Sequence, residues 1–382
     1  MKIKTKKIMM VALAVLLTLS TIGCNVDNAG ESPEVGSTME NGSGKRTIKD
    51  MAGRTVEVPE EINTALGLGC TNRFFVYLDS VDKMVGLRSE RTREDPINKP
   101  YAMAIRSKLP DMPIYDQNDL ETISALDPDV LFLCSGYYQG EFQDEESISA
   151  RTNIPLVITK PYVSLSKNTE EFYETVEIFG DLLGKESRAE ELIKGVKEII
   201  NDLNERTKDI PDEDKPTVHV GGKAWHGSHG LTSSSSYYSA FDFINAKNIV
   251  ADLEQENVFI DPEAILSWDP DVIFVESGTL DGYRLSMEDL NKPQFQSLKA
   301  VQNNEVHRIF CKIWCNTNFA NVLVNSYYIG SVIYPEQFSY VDFEKKADKI
   351  YELFLGRPIY EEAVEVYGKH EKLEREYIET YK

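Results

Sequence analysis

Past its first two dozen residues the sequence has no apolar run of the roughly 20 residues that a transmembrane helix needs, so no later segment reads as a membrane span. Histidine is scarce, with 5 in 382 residues, and cysteine equally so. There is no HExxH, no GxSxG, no phosphate-cradling glycine loop and no Cys-x-x-Cys. Their absence removes the usual signatures of zinc and serine hydrolases, nucleotidases and structural zinc sites. Basic residues are also outnumbered: 41 Lys and Arg face 63 Asp and Glu, a formal charge of −22. Such a surface repels polyanions and argues against nucleic acid as a partner. A small charged ligand stays open, because a cleft can carry local charge opposite to the net charge.

What is present first is a leader. MKIKTKK supplies four lysines, IMMVALAVLLTLS an apolar run of secretory length, and TIGC small residues at the end. That order is an export signal, too short for a comfortable membrane span. Gly23-Cys24 resembles the lipobox of bacterial lipoproteins, with Thr21 where that motif usually has Leu, and implies cleavage and acylation at Cys24. Loss of the four lysines takes the formal charge from −22 to about −26. Residues 25–45 are rich in Gly, Ser, Asn and Glu without apolar period, so they read as a flexible tether. The expectation is an exported protein held by lipid at the outer face of the cytoplasmic membrane.

Two passages then say nearly the same thing. DLETISALDPDVLFLCSG begins at Asp119 and DPEAILSWDPDVIFVESG at Asp261, with ten of eighteen positions identical. Each starts with Ile and Leu at helical spacing, stops at a DPD turn, and continues as an unbroken apolar run ending in Ser-Gly. Such runs are the mark of strands buried on both faces of a parallel sheet. Pro128 and Pro270 end the helices, and the acids are expected to solvate the turns. Two related α/β lobes follow from the repeat. Between the copies, Phe172, Val176 and Phe179 mark one amphipathic helix ending near Gly184. Ala189, Leu192, Ile193, Val196, Ile199, Ile200 and Leu203 mark a longer one, Ser187 to Lys208. The second, ~33 Å long at 1.5 Å per residue, is long enough to run from lobe to lobe. Asn168 and Thr169 are expected to cap the first.

The expected architecture is therefore two three-layer α/β/α lobes joined by one long α-helix, with a ligand cleft between them. Residues 1–24 are the leader, 25–45 the tether, 46–165 the N-terminal lobe, 166–208 the helical linker and 209–382 the C-terminal lobe. Of the later cysteines, Cys311 and Cys315 would stand about 13 Å apart if extended, beyond disulfide reach. Cys70, Cys134, Cys311 and Cys315 read mostly as buried, unpaired packing residues. The end of the chain, EKLEREYIETYK, reads as a charged amphipathic helix.

From Thr47 onward, TIKDMAGRTVEVPEEINTALGL, DLETISALDPDVLFL, GDLLGKESRAEELI and DPEAILSWDPDVIFV together resemble the bacterial ABC-importer solute-binding proteins for iron–siderophore, haem and cobalamin-type ligands. The resemblance runs from residue 46 to about 368, and NSYYIGSVIYPEQFSYVDFEKKADKIYELFLGRPIYE resembles a subgroup of iron-compound binders. It implies ligand held between two lobes, delivery to a permease dimer with its cytoplasmic ATPase, no intrinsic cofactor and no enzymatic activity. It further implies that Glu121 and Glu263, one per lobe, pair with arginines of that symmetric permease.

Three loops after predicted strands carry the ligand chemistry. The first holds Cys70, Thr71, Asn72 and Arg73. The second, GGKAWHGSHGLTSSSSYY, holds Lys223, Trp225, His226 and His229 among glycines that let backbone approach a ligand. The third holds Trp314 and Asn316. Trp and Tyr offer flat faces to an aromatic or macrocyclic ligand, and Tyr137 and Tyr138 follow the first Ser-Gly end. Arg73 and Arg88 suit a carboxylate- or catecholate-bearing chelate. His226 and His229 are weak metal candidates, since two histidines make an incomplete first shell. An iron chelate ranks first as cargo, then a corrinoid, then haem. Two other readings stay open: an exported metal-binding enzyme using His226 and His229, and a surface receptor that senses a ligand.

Overall fold

The computed structural model describes residues 44–88, 99–134, 145–160, 164–225, 227–278, 280–312 and 317–381. The N-terminal half opens with an antiparallel pair, β1 (Lys45–Lys49) and β2 (Thr55–Pro59). There follow β3 (Ala65–Leu68), α1 (Asn72–Tyr77), β4 (Leu87–Arg88), α2 (Pro100–Ala104), β5 (Ile114–Tyr115), α3 (Leu120–Ala125), β6 (Val130–Cys134), α4 (Glu145–Thr152) and β7 (Leu156–Thr159). Strands β3, β6 and β7 form a parallel sheet in that spatial order, and parallel β4–β5 joins its β3 side through a bridge from Ala65 to Met84.

Two antiparallel helices, α5 (Thr169–Leu183) and α6 (Glu186–Thr207), lead to the second half. It contains β8 (Thr217–Gly221), β9 (Ser233–Ser234), α7 (Ser239–Asp242), β10 (Lys247–Asn248), β11 (Val258–Phe259), α8 (Pro262–Trp268), β12 (Val272–Ser277) and α9 (Leu280–Leu290). It ends with α10 (Lys299–Gln302), β13 (Val306–Phe310), α11 (Phe319–Ile333), α12 (Phe343–Leu355), α13 (Tyr360–Tyr367), β14 (Glu371–Lys372) and α14 (Arg375–Ile378). Its sheet runs β10-β8-β12-β13-β14, parallel except for the last strand.

Side-chain alternation explains the layers. On β6, Val130 and Phe132 enter one core while Leu131 and Leu133 enter another. On β12, Val272 and Phe274 face one way and Ile273 and Val275 the other. With period-2 strands, both faces of each sheet are therefore covered. The first-named faces belong to a single core that runs unbroken through α1, α5, α6, α11 and α12. The two lobes share it.

The repeated DPD has a sharper role than solvating a turn. Asp127 and Asp269 take left-handed backbone, φ 46° and 43°, which Asp tolerates better than most residues, and the prolines that follow cannot continue the helices. The second acid clasps the neighbouring strand. Asp129 Oδ2 accepts from the amides of Asn63 and Thr64 at 2.7 and 2.9 Å, and Asp271 Oδ2 accepts from Thr217 N at 2.8 Å. In return Thr64 Oγ1 and Thr217 Oγ1 each accept from the acid's own amide at 3.1 Å. The repeat thus encodes a strand-to-strand clamp in each lobe. Asp129→Ala or Asp271→Ala is expected to lower unfolding free energy by about 1–3 kcal/mol, the cost of orphaning such donors, as read from urea melts.

Three local expectations need correction. Asn72 and Arg73 lie in the first turn of α1 rather than in a loop. Asn168 makes no side-chain cap; Thr169 Oγ1 instead donates to Leu165 O at 2.5 Å. The terminal segment opens as β14, paired antiparallel with β13, before the short α14. Cys70, Cys134 and Cys311 are buried, as expected; Cys315 and Cys24 lie outside the described residues.

Candidate functional site

The carboxyl ends of both sheets carry buried charge, and there the two halves meet. From the N-terminal half, Arg73 donates through Nε to Cys70 O at 3.1 Å and through Nη1 to Thr317 O, which lies beyond β13 in the other half. Its guanidinium stands 5.7 Å from the Tyr101 ring and 6.0 Å from the Phe319 ring. Arg88, at the end of β4, donates to Gly69 O, and Gly69 N donates to Gln117 Oε1 at 3.0 Å. Lys99 Nζ approaches the same Tyr101 ring at 6.0 Å. Arg73, Arg88 and Lys99 are all buried, so three cations surround one turn and one tyrosine. Asn72 does not join them. A Cβ at Gly67 would overlap Asn72 Oδ1, so the amide packs back onto β3.

The C-terminal half supplies a second cluster from three adjacent strands. Lys223 follows β8 past Gly222, whose φ of +80° and 2.9 Å clearance to Ser286 Oγ fit only glycine. Lys312 follows β13, and Glu276 lies within β12; all three are buried. Glu276 Oε1 accepts from Tyr238 OH at 2.8 Å and from Lys312 N at 3.1 Å. Lys312 Nζ donates to Glu256 Oε1 at 3.1 Å, and Lys223 Nζ donates to Asn257 Oδ1 and lies 3.8 Å from the same Glu256 oxygen. Lys223 also stands 5.8 Å from the Trp225 ring. Burial, reinforced by Lys312, pushes the Lys223 ammonium down to about 7, and burial raises Glu276.

The halves also touch through Ser164 Oγ, 3.2 Å from Ser239 Oγ, and through Ser166, whose hydroxyl donates to Asp242. His229 is turned to its own loop: Nε2 bonds Trp225 O at 2.8 Å, and the ring packs on Phe259 at 4.7 Å. Among the described residues no three His, Cys, Asp or Glu side chains gather as metal ligands. Tyr137, Tyr138, His226, Trp314 and Asn316 lie outside the described residues. Glu121 and Glu263 occupy matching sites, exposed in the first turns of α3 and α8, each behind a capping Asp119 or Asp261.

The model of the periplasmic binding protein family matches residues 75–309. The chain belongs to that family. A relative of this binding protein is the uncharacterized ABC transporter substrate-binding lipoprotein YvrC of Bacillus subtilis, 23% identical over 269 residues, 69% of this chain and 77% of that one. Among solved structures, the molybdate-bound MolA of Haemophilus influenzae superposes with a TM-score of 0.65 at 18% identity, covering 82% of this chain and 98% of its own. The TroA-like periplasmic binding protein FepB of Veillonella parvula gives 0.62 at 21% identity, covering 82% and 97%. Both show the same fold. No helix among the described residues is long and apolar enough to cross a membrane.

Sequence reasoning singled out Arg73, Arg88, Lys223 and Trp225 of this binding protein but missed Lys99, Tyr101, Glu256, Glu276 and Lys312. One signal was available: Glu276 is the acid inside the otherwise apolar run VIFVES, and a buried charge is rarely left without a partner.

Proposed function

We propose that this protein is a lipid-anchored, extracytoplasmic receptor that captures a metal chelate, with an iron chelate the leading candidate, and hands it to an ABC importer. The observation that carries the proposal is the burial of five basic side chains, Arg73, Arg88, Lys99, Lys223 and Lys312, of which Arg73 bonds across to Thr317 of the other half, in a chain of net charge −22. Burying cations is costly, and a site for an anionic ligand gives that cost a purpose. The family match and the lipoprotein relative support the transport role. Glu121 and Glu263 would then orient docking on the permease: exposed ion pairs are worth only about 0–1 kcal/mol each, enough for register rather than affinity.

Thermal melts against ferric catecholate, ferric hydroxamate, haem, cobalamin, molybdate and bare metal ions test this. A ligand at 100 times its dissociation constant is expected to add about 2.7 kcal/mol, a shift of a few degrees. A shift by one chelate class and not by the ions is the expected result. A shift by a bare transition metal alone would replace the chelate with a direct metal site.

A further inference from the structure

We propose that Lys223 and Lys312 form an anion subsite in the C-terminal half, and that the Glu256 carboxylate fills this subsite as an internal stand-in which an anionic oxygen group of the cargo displaces. The subsite rests on the receptor function above and adds a ligand chemistry to it. Both ammonium groups converge on one atom, Glu256 Oε1, at 3.1 and 3.8 Å, and Ser235 Oγ lies 3.4 Å from the same oxygen. The two lysine side chains are 0% and 1% exposed, whereas that of Glu256 is 22% exposed. Glu256 is therefore the solvent-side member of the cluster.

The second carboxylate differs in kind. Glu276 is fixed from behind by Tyr238 and the Lys312 amide, and its Oε2 is buried with no hydrogen-bond partner among the described residues. Two lysines and two glutamates balance. An anionic cargo entering beside Glu256 would leave an excess of buried negative charge, whereas exchange with Glu256 preserves the balance. A lysine ammonium, with three rotatable donors on a flexible stem, tolerates such an exchange better than the fixed fork of arginine. Glu256 stands on a short connection between a left-handed turn at Glu254, φ 52°, and β11, so it can withdraw without moving a sheet.

The groups facing Lys223 are Lys312, Glu256 and Glu276. A cargo anion held closer to Lys223 than Glu256 is would draw a proton onto that lysine, so binding near neutral pH is expected to take up protons. A purely structural lysine pair would not produce this uptake.

The test is calorimetric titration of the full chain and its variants with a ferric tris-catecholate, which is anionic, a ferric tris-hydroxamate, which is neutral, and molybdate. Glu256→Gln is expected to tighten the anionic probes about tenfold or more while lowering thermal stability; Lys312→Met is expected to weaken them by a similar factor. The neutral hydroxamate should respond to neither change, and heats in buffers of different ionisation enthalpy should reveal the proton uptake. Should Lys312→Met fold poorly, the charge-balanced double variant Glu256→Gln/Lys312→Gln, checked by circular dichroism, must bind the anionic probes about tenfold or more weakly than Glu256→Gln alone. Anion binding that neither substitution changes would overturn the subsite and leave the receptor function standing. Failure of all three probes to bind would overturn the subsite together with the anionic-chelate cargo.

Discussion

Between pH 6.5 and pH 4 this protein is expected to lose several kcal/mol of stability through two buried histidines. His370 is held neutral, its pKa pushed down to about 3, and His219 to about 4, in both cases chiefly by burial. Their hydrogen bonds agree. His370 Nε2 lies 2.9 Å from Asn325 Oδ1 and so donates, leaving Nδ1 to accept from Tyr360 OH at 3.3 Å. His219 Nε2 donates to Leu231 O at 2.8 Å, and its Nδ1 is buried without a partner among the described residues. A second proton on His219 would meet no acceptor among the described residues, and one on His370 would require the Tyr360 hydroxyl to turn its own proton away.

Both folded pKa values lie below the unfolded value of about 6.5, so the unfolded chain binds more protons in this window. Stability is then full above pH 6.5 and falls as pH drops towards the folded values. The slope is about 1.4 kcal/mol per unit for each histidine. Glu276 and Asp242, both raised chiefly by burial, act in the opposite sense and soften the loss. Denaturant melts across this range should show the slope, and His370→Gln should reduce it by about 1.4 kcal/mol per unit. An unchanged slope in that variant would mean that His370 is not buried neutral.

His370 also shows where sequence stops being informative. The strands β6 and β12 were legible as apolar runs, the lobes as a repeat, and α5 and α6 as amphipathic periods with boundaries correct to a residue or two. All of these are local signals. The DPD clamp was half legible: the turn could be read, but Asp129 and Asp271 reach backbone amides 65 and 54 residues earlier. The lysine cluster draws on positions 223, 256, 276 and 312, brought together by parallel strand pairing rather than spacing. Strand β14 pairs over just two residues, too few for any alternation. The orientation of Asn72 was illegible for a different reason. Spacing placed it beside Arg73, but only the packing of α1 on Gly67 decides which way its amide turns.

The second large effect lies at the joint between the halves, where Phe319→Ala is expected to cost about 3–5 kcal/mol, the usual range for truncating a buried aromatic. Phe319 opens α11 in the C-terminal half, yet its ring lies 4.6 Å from Phe172 of α5 and 6.4 Å from Phe74 and Tyr77 of α1. Phe74 in turn stacks on Phe179 at 5.0 Å, and Phe179 on Phe132 of β6 at 3.9 Å. An aromatic chain therefore links the N-terminal sheet to the first turn of α11, in the core common to both lobes. Because interiors are close-packed, such a core resists sliding, so ligand closure should be a few degrees rather than a wide hinge. Since one core draws on both lobes, urea unfolding of the unaltered protein should be a single transition. In Phe319→Ala the midpoint should fall and the transition broaden or divide as the lobes uncouple. A loss below about 1 kcal/mol, with one sharp transition retained, would mean that the joint is carried by α6 and α12 instead.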